Sequence, residues 1–394
     1  MTIGHSTLRL VAAVLIVAVL GAACGSDAPP SRSTSASASA SGTAGPIAPG
    51  SIGPGGSGDP LADLAAAAEL EGSLTTIGLS DDWCNYGEIV KTFEARYAIT
   101  INELRQDAGF TDQLAAIRAN KDAKGPDAPD VIDVSQAFGV QAKHDKLLAA
   151  YKVATWDTIP KVARDPDGFW SGNYYAVLAF ETNTSRATPP ANWSTMLGAS
   201  YLDRVALAGD PRLSDQAIQT VYAAALANGG SLANAAPGLD YFAKLQTAGN
   251  LVPMIATPDT IDVGTTPITI RWTWSALAHR DRANGTPAID VTVPETGRLG
   301  SFDVEAISAY APHPNAARLW MEFLYGDEGQ NLWLKGNCFP IRFDDLTARD
   351  TIAPDIQANL PDVTGAVFPT PDQLAAASTL ITQKWNAVVG ADIK

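Results

Sequence analysis

The pattern of apolar and polar positions changes period along this chain. Short apolar runs closed by turn residues alternate with stretches of 3.6-residue spacing. Residues 61–70 are Ala-rich and read as a helix. Residues 74–79 (LTTIGL) read as a buried strand that Ser80, Asp81 and Asp82 end with turn and N-cap chemistry. A helix then runs to about Arg96. Residues 99–104 alternate as a strand, and 110–120 place Leu114 and Ile117 on one helix face. Residues 130–134 form another buried strand, which ends in a loop at Ser135 and Gln136, and 141–151 read as a helix. Strand and helix thus alternate three times, which predicts an α/β fold with a mainly parallel sheet.

The next stretch is DPDGFWSGNYYAVLAFETN, residues 165–183. It clusters Trp170, Tyr174 and Tyr175 before an extended run over 176–182. Pro189 and Pro190 break the chain, and a second set of elements follows. These are a strand at 205–208 ending in Gly209 and Asp210, a helix capped by Ser214, a helix over 237–247, and strands over 267–272 and 288–293. The pattern of the first part then returns: a strand over 304–310, helices after Pro314 and over 327–334, and a last helix over 371–389. Residues 185–290 therefore read as a second α/β lobe inserted into a first lobe of 61–184 and 291–394. The chain would cross near 179–184 and return near 291–294. Two crossings make a hinge, with a ligand cleft between the lobes.

Composition narrows the class. The chain has 394 residues, 46% of them hydrophobic and 18% charged, with a net charge of −15. That balance argues against a nucleic-acid partner, which wants a basic face. At the N-terminus Arg9 precedes an apolar run over 10–20, too short to span a bilayer, and then Gly21, Ala22, Ala23 and Cys24. This resembles a bacterial lipoprotein signal (1–23) cut before a lipid-bearing Cys24; cleavage as an ordinary secretory signal near Ala23 is the alternative. Residues 24–60 are a Gly/Ser/Pro/Ala tether without core-forming residues. As a flexible coil it would span about 30–35 Å. The expected location is the extracytoplasmic face of the cell membrane. Export favours a disulfide between the two remaining cysteines, Cys84 and Cys338, over two separate buried thiols.

Catalytic constellations are missing from the sequence. His144, His279 and His313 are widely spaced on polar stretches and read as surface residues. There is no HExxH, no GxSxG and no phosphate-binding glycine loop. The paired acids Asp81 and Asp82 keep an exported hydrolase open as an alternative, and an adhesion lipoprotein is another.

Several phrases carry a resemblance: KTFEARY (91–97), the Trp- and Tyr-rich stretch before Asn183, NWSTML (192–197), APHPNAARLWMEFLYGDEGQ (311–330) and GNCFPIR (336–342). Over residues 70–390 the chain resembles the extracellular solute-binding proteins of ABC importers, of the two-lobe type II class with a double-crossover hinge. It resembles in particular the spermidine/putrescine binders, and it is also similar to ferric-ion binders. The resemblance implies no catalysis and no cofactor. It implies a small-molecule solute, an ABC permease in the membrane as partner, and a monomeric binding protein. It carries over Trp83 and Tyr86 as a Trp-x-x-Tyr loop, Asp210 at a second-lobe helix start, Trp272 after a second-lobe strand, and Asp303 before the return helix. Asp82, Ser135, Gln136, Trp170, Tyr174, Arg271 and Trp274 complete the expected ligand site. Aromatic walls and carboxylates suit a polyamine or another small cation. Leu213 and Ser301 stand where those binders carry an acid and an aromatic residue. Arg212 and Arg271 keep a phosphonate or organic phosphate open, and Tyr174 with Tyr175 keeps ferric ion open.

Overall fold

The computed structural model describes residues 58–121 and 125–394. The signal segment, Cys24 and residues 25–57 of the tether lie outside the described residues. The first lobe opens with α1 (Pro60–Glu71), β1 (Ser73–Ile77), α2 (Tyr86–Tyr97), β2 (Thr100–Leu104), α3 (Phe110–Ala119), β3 (Val131–Ser135), α4 (Gln136–His144) and a two-residue strand β4 (Leu148–Ala149). The long strand β5 (Ser171–Asn183) leads into β6 (Val205–Leu207), α5 (Asp215–Ala227), α6 (Ala236–Thr247), β7 (Leu251–Ile255), α7 (Pro258–Asp262), β8 (Ile268–Trp272), α8 (Thr273–Ala283) and β9 (Ile289–Thr292). The chain returns through β10 (Gly300–Ser308), α9 (Pro314–Tyr325), α10 (Asp327–Lys335), β11 (Phe339–Pro340), α11 (Phe343–Ala348), α12 (Pro354–Gln357) and α13 (Pro371–Val388).

Two strands make the connection between lobes. Every residue of β5 is buried. Its first half pairs antiparallel with β10, from Ser171 to Val177. Its second half pairs with β8 and β9, from Leu178 to Asn183. The partners change between Val177 and Leu178, and the return path runs between Thr292 and Gly300. β1 and β2 are parallel, as are β6, β7 and β8, but β10 is antiparallel to β3, β4 and β5. The sheet is therefore mixed rather than mainly parallel. Strands that carry the chain into and out of a lobe run against their neighbours.

Each lobe has its own apolar core. Ile89, Phe93, Leu319, Trp320, Phe323 and Leu324 close the first, where α2 and α9 present apolar stripes at helical spacing. Phe180, Trp193, Tyr222, Tyr241 and Phe242 fill the second. The C-terminal segment corrects the expected division of 291–394. Ala377, Ile381 and Trp385, spaced by four along α13, join the core of the second lobe, as do Val389 and Ile393. The helix expected over 141–151 also shifts: α4 starts directly at Gln136, and Leu148 leaves it to pair with β10.

The cysteines form a disulfide, Cys84–Cys338, with Cα atoms 5.5 Å apart across 254 residues. Cys84 and Asn85 both take positive φ, which turns the chain sharply into α2. Gly336 packs against this turn, where a Cβ would lie 2.4 Å from the Cys84 carbonyl carbon, so only glycine fits.

Candidate functional site

The loop after β1 delivers Trp83 to the edge of the first lobe. Its indole meets the ring of Trp274, in the first turn of α8 on the second lobe, with centroids 4.5 Å apart. Trp83 Nε1 donates to the Tyr174 hydroxyl. Beside Cys338, Asn337 Nδ2 donates to Asp281 Oδ2 at 3.2 Å near the far end of α8. The disulfide thus flanks two contacts that join the lobes, seven residues apart on one helix.

Behind Trp83 lies a group of carboxylates. A bulge in the β5–β10 pairing places Asn173 and Tyr174 opposite Asp303, and bulges re-aim side chains. The Asn173 side chain accepts from the Tyr174 backbone N–H at 2.8 Å. The Tyr174 hydroxyl lies 2.9 Å from Asp133 Oδ2 and 3.3 Å from Asp303 Oδ2. The Tyr86 hydroxyl lies 2.7 Å from the same Asp133 oxygen and 3.4 Å from Glu305 Oε2. Asp133 and Glu305 face each other across β3 and β10, and Ser135 pairs with Asp303. Trp320 Nε1 donates to Glu305 at 2.9 Å, and Asn173 reaches it at 3.4 Å. Trp333 packs on both Tyr86 and Tyr174.

Each tyrosine hydroxyl has one proton and two carboxylates to serve. Among the described residues no Lys, Arg or His pairs with Asp133, Asp303 or Glu305, and Asp133 Oδ1 is buried without a partner. Like charges in a buried place hold protons. Burial raises Asp133 to about 6 against the pull of the Tyr86 and Tyr174 hydroxyls. Burial, then the charge of Asp133, raises Asp303 to about 8. Burial and Asp133 raise Glu305 well above the usual range. Tyr86 and Tyr174 are likewise pushed well up, by burial first and then by Asp133. Asp303 alone of the three acids is partly exposed; it shares the Tyr174 hydroxyl with Trp83, and Trp83 and its ring partner Trp274 are also partly exposed.

The other expected site residues divide. Tyr86 is fully buried, so it positions the carboxylates rather than lining a cleft. Trp170 is buried, its indole 3.5 Å from where a Cβ on Gly139 would stand. Ser135 and Gln136 open into a small interlobe pocket with Gln219, Ser301, Phe302 and Phe368. Asp82 is exposed and has no partner among the described residues. Trp272 ends β8 and packs on the second core, whereas Trp274 belongs to a helix, so the two do not alternate along one strand.

Both arginines expected near the cleft are already occupied. Arg212 Nε lies 2.8 and 2.9 Å from the two oxygens of Asp210, holds that carboxyl below its usual range, and reaches Asp392 at 2.9 Å. Arg271 donates to Glu181 at 3.1 Å. The other Glu181 oxygen meets His279 Nδ1, while His279 Nε2 lies 3.0 Å from Asp262. His279 is therefore a core residue, not a surface one. The inward face of α8 mixes Thr273, Ser275 and His279 with Ala276 and Leu277, which hid it. His313 is half-buried against Asp130 at 2.8 Å, and His144 is exposed. Tyr174 and Tyr175 point to opposite faces of β5, the latter stacking on Phe339.

Sequence reasoning missed Asp133, Glu305 and Asn173. The available signal was an acid at an alternate position inside a strand that is otherwise apolar, in VIDVS and in FDVEAIS.

The sequence profile of the bacterial extracellular solute-binding protein family matches residues 127–374. No curated protein sequence matches the chain. Among solved structures, it is similar to the periplasmic binding protein AfuA of Actinobacillus pleuropneumoniae with exogenous fructose-6-phosphate bound. That match has 20% identity and TM-score 0.55, and covers 80% of this chain and 98% of that one. It is also similar to the spermidine/putrescine ABC transporter substrate-binding protein PotD of Streptococcus pneumoniae (14%, TM-score 0.60, covering 80% and 99%). Iron-bound HitA of Pseudomonas aeruginosa aligns at 16% identity and TM-score 0.58, covering 79% and 99%. These identities speak for the fold alone.

Proposed function

The chain belongs to the bacterial extracellular solute-binding protein family, and from that premise we propose that its solute is a small organic cation, with a polyamine such as putrescine or spermidine the best match. It is a binding protein that hands its solute to an ABC permease and catalyses no reaction. The carrying observation is Asp303, a partly exposed acid backed by Asp133 and Glu305, without a basic partner among the described residues, and sharing the Tyr174 hydroxyl with Trp83, whose ring meets Trp274. An ammonium group there would gain a charge-assisted hydrogen bond and aromatic faces. It would also supply the positive charge that the three acids lack. The anion reading would need Arg212 or Arg271, and both hold carboxylates. The ferric reading would need Tyr174 and Tyr175 together, and they diverge.

The finer assignments follow from the same reading. Trp83, Trp274 and Asp303 contact the solute, while Tyr86, Tyr174 and Asp133, all buried, position them. Lobes joined by β5 and by residues 293–299 close over it. Residues 1–23 are removed, and Cys24 carries lipid that anchors a monomer through the tether to the extracytoplasmic face. The test is calorimetric titration of the chain with putrescine and spermidine. Saturable binding that Asp303→Asn abolishes supports the proposal. Equal binding by Asp303→Asn places the solute elsewhere.

A further inference from the structure

The second lobe carries a basin at its outer end, lined by Thr184, Arg186, Ala187, Thr188, Pro189, Ser200 and Arg204. Strand register fixes where it lies. β5 ends at Asn183, and Thr182 pairs with Ile268, the first residue of β8. β6 starts at Val205, also opposite Ile268. The basin therefore sits where β5 ends and where β6 and β8 begin. The solute site lies at the other end of β8, beyond Trp272, roughly 15 Å away along a five-residue strand.

This basin brings together two arginines without acid partners among the described residues. The chain is acidic, and Arg212, Arg271, Arg298, Arg342 and Arg349 each hold a carboxylate. Among the described residues neither Arg186 nor Arg204 has an ion-pair partner or a side-chain hydrogen bond, although they share one depression. Thr188 and Ser200 likewise have no side-chain partner among the described residues, while Thr184 donates to the Ala288 carbonyl at 3.1 Å. Arg186 is also placed. Its stem crosses Gly264, a residue with φ +83°, where a Cβ would sit 2.5 Å from Arg186 Cγ. A larger residue at 264 would displace the guanidinium.

We propose that this basin is an oxyanion site for a phosphate-bearing group, held by the Arg186 and Arg204 guanidiniums with hydroxyl donors from Thr188 and Ser200. Two planar guanidiniums offer several N–H donors to a tetrahedral anion, and hydroxyls complete its coordination. The group can come from a phosphate compound in solution or from a phospholipid headgroup. The site is independent of the cationic solute site.

The test uses the full chain and inorganic phosphate, titrated calorimetrically against chloride at matched ionic strength. Saturable phosphate binding should weaken about tenfold or more in the Arg186→Gln/Arg204→Gln double variant. Both side chains lie at the surface, so an unchanged melting temperature verifies the fold. Asp303→Asn should retain wild-type phosphate binding, which separates this basin from the solute cleft. A second arm sediments the chain with phosphatidylcholine vesicles with and without phosphatidylglycerol. Arginine-dependent preference for the anionic vesicles identifies the headgroup as the source; phosphate binding without that preference identifies a soluble phosphate. No response to either probe, or equal responses in the double variant, overturns the proposal.

Discussion

Two buried charge clusters share the strand β5, and they are built in opposite ways. In the second lobe, Glu181 is fully buried yet balanced by Arg271 and held by His279, which in turn meets Asp262. In the first lobe, Asp133, Asp303 and Glu305 have only hydroxyl, indole and amide donors. Seven residues separate Glu181 from Tyr174, and the chemistry inverts between them. The balanced cluster is a structural element that requires nothing from outside. The unbalanced one has no counter-charge of its own, and on the reading proposed above the solute would supply it.

The sharpest way to break this contrast is to remove one acid from each cluster. Glu181→Ala strands Arg271 and should cost about 3–5 kcal/mol in urea unfolding. Glu305→Gln replaces a carboxyl that burial pushes toward its neutral form with a neutral amide of similar shape, and should cost less than about 1 kcal/mol. Equal losses would show that the two clusters are alike. The disulfide sharpens the contrast from another side, because it braces the Trp83 rim of the unbalanced cluster. Cys84→Ser with Cys338→Ser should destabilise by about 2–5 kcal/mol and weaken solute binding as well; full stability in the double variant would remove the bracing role. Trp83→Ala or Trp274→Ala should lower cation affinity about tenfold with little loss of fold, since each removes one aromatic face of the site. Unchanged affinity in both would move the solute away from this rim.

The smallest effect is on pH dependence. An acid whose pKa is raised on folding binds protons more tightly in the folded chain. Asp133 rises to about 6 and Asp303 to about 8, from ordinary values near 4. Through that window the folded chain holds more protons than the unfolded one, so ligand-free stability should fall as pH rises. Cation affinity should rise over the same range. Asp303→Asn should flatten its share of the stability slope; a wild-type slope in that variant would show that Asp303 does not titrate this way.

Much of this fold is legible in the sequence where one element decides its own burial. The stripe through Ala316, Leu319, Trp320 and Phe323 marks α9, and the apolar run around 176–182 marks β5. The site is legible only in part. Trp83, Tyr174, Trp274 and Asp303 do come together, and the Cys84–Cys338 pairing is present. Asp210 is already held by Arg212 two residues on, while the other arginine pairings depend on partners far away in sequence. Arg212 finds Asp392 180 residues on, and Arg271 finds Glu181 90 residues back. Asp133 and Glu305 were invisible for the same reason: their meeting depends on the β3–β10 register. The inward face of α8 offers only Ala276 and Leu277 among Thr273, Ser275 and His279, too short an apolar stripe to announce it.

The central claim is that the first-lobe carboxylates await a cation. It is tested most directly by thermal unfolding of the chain with putrescine, spermidine, 2-aminoethylphosphonate, glycerophosphate and ferric citrate, run beside Asp303→Asn. A ligand at 100 times its dissociation constant adds roughly 2.7 kcal/mol, a shift of several degrees. The account predicts that shift with the polyamines in the wild type and its loss in Asp303→Asn. A shift only with glycerophosphate or ferric citrate, or a polyamine shift that survives Asp303→Asn, would contradict it.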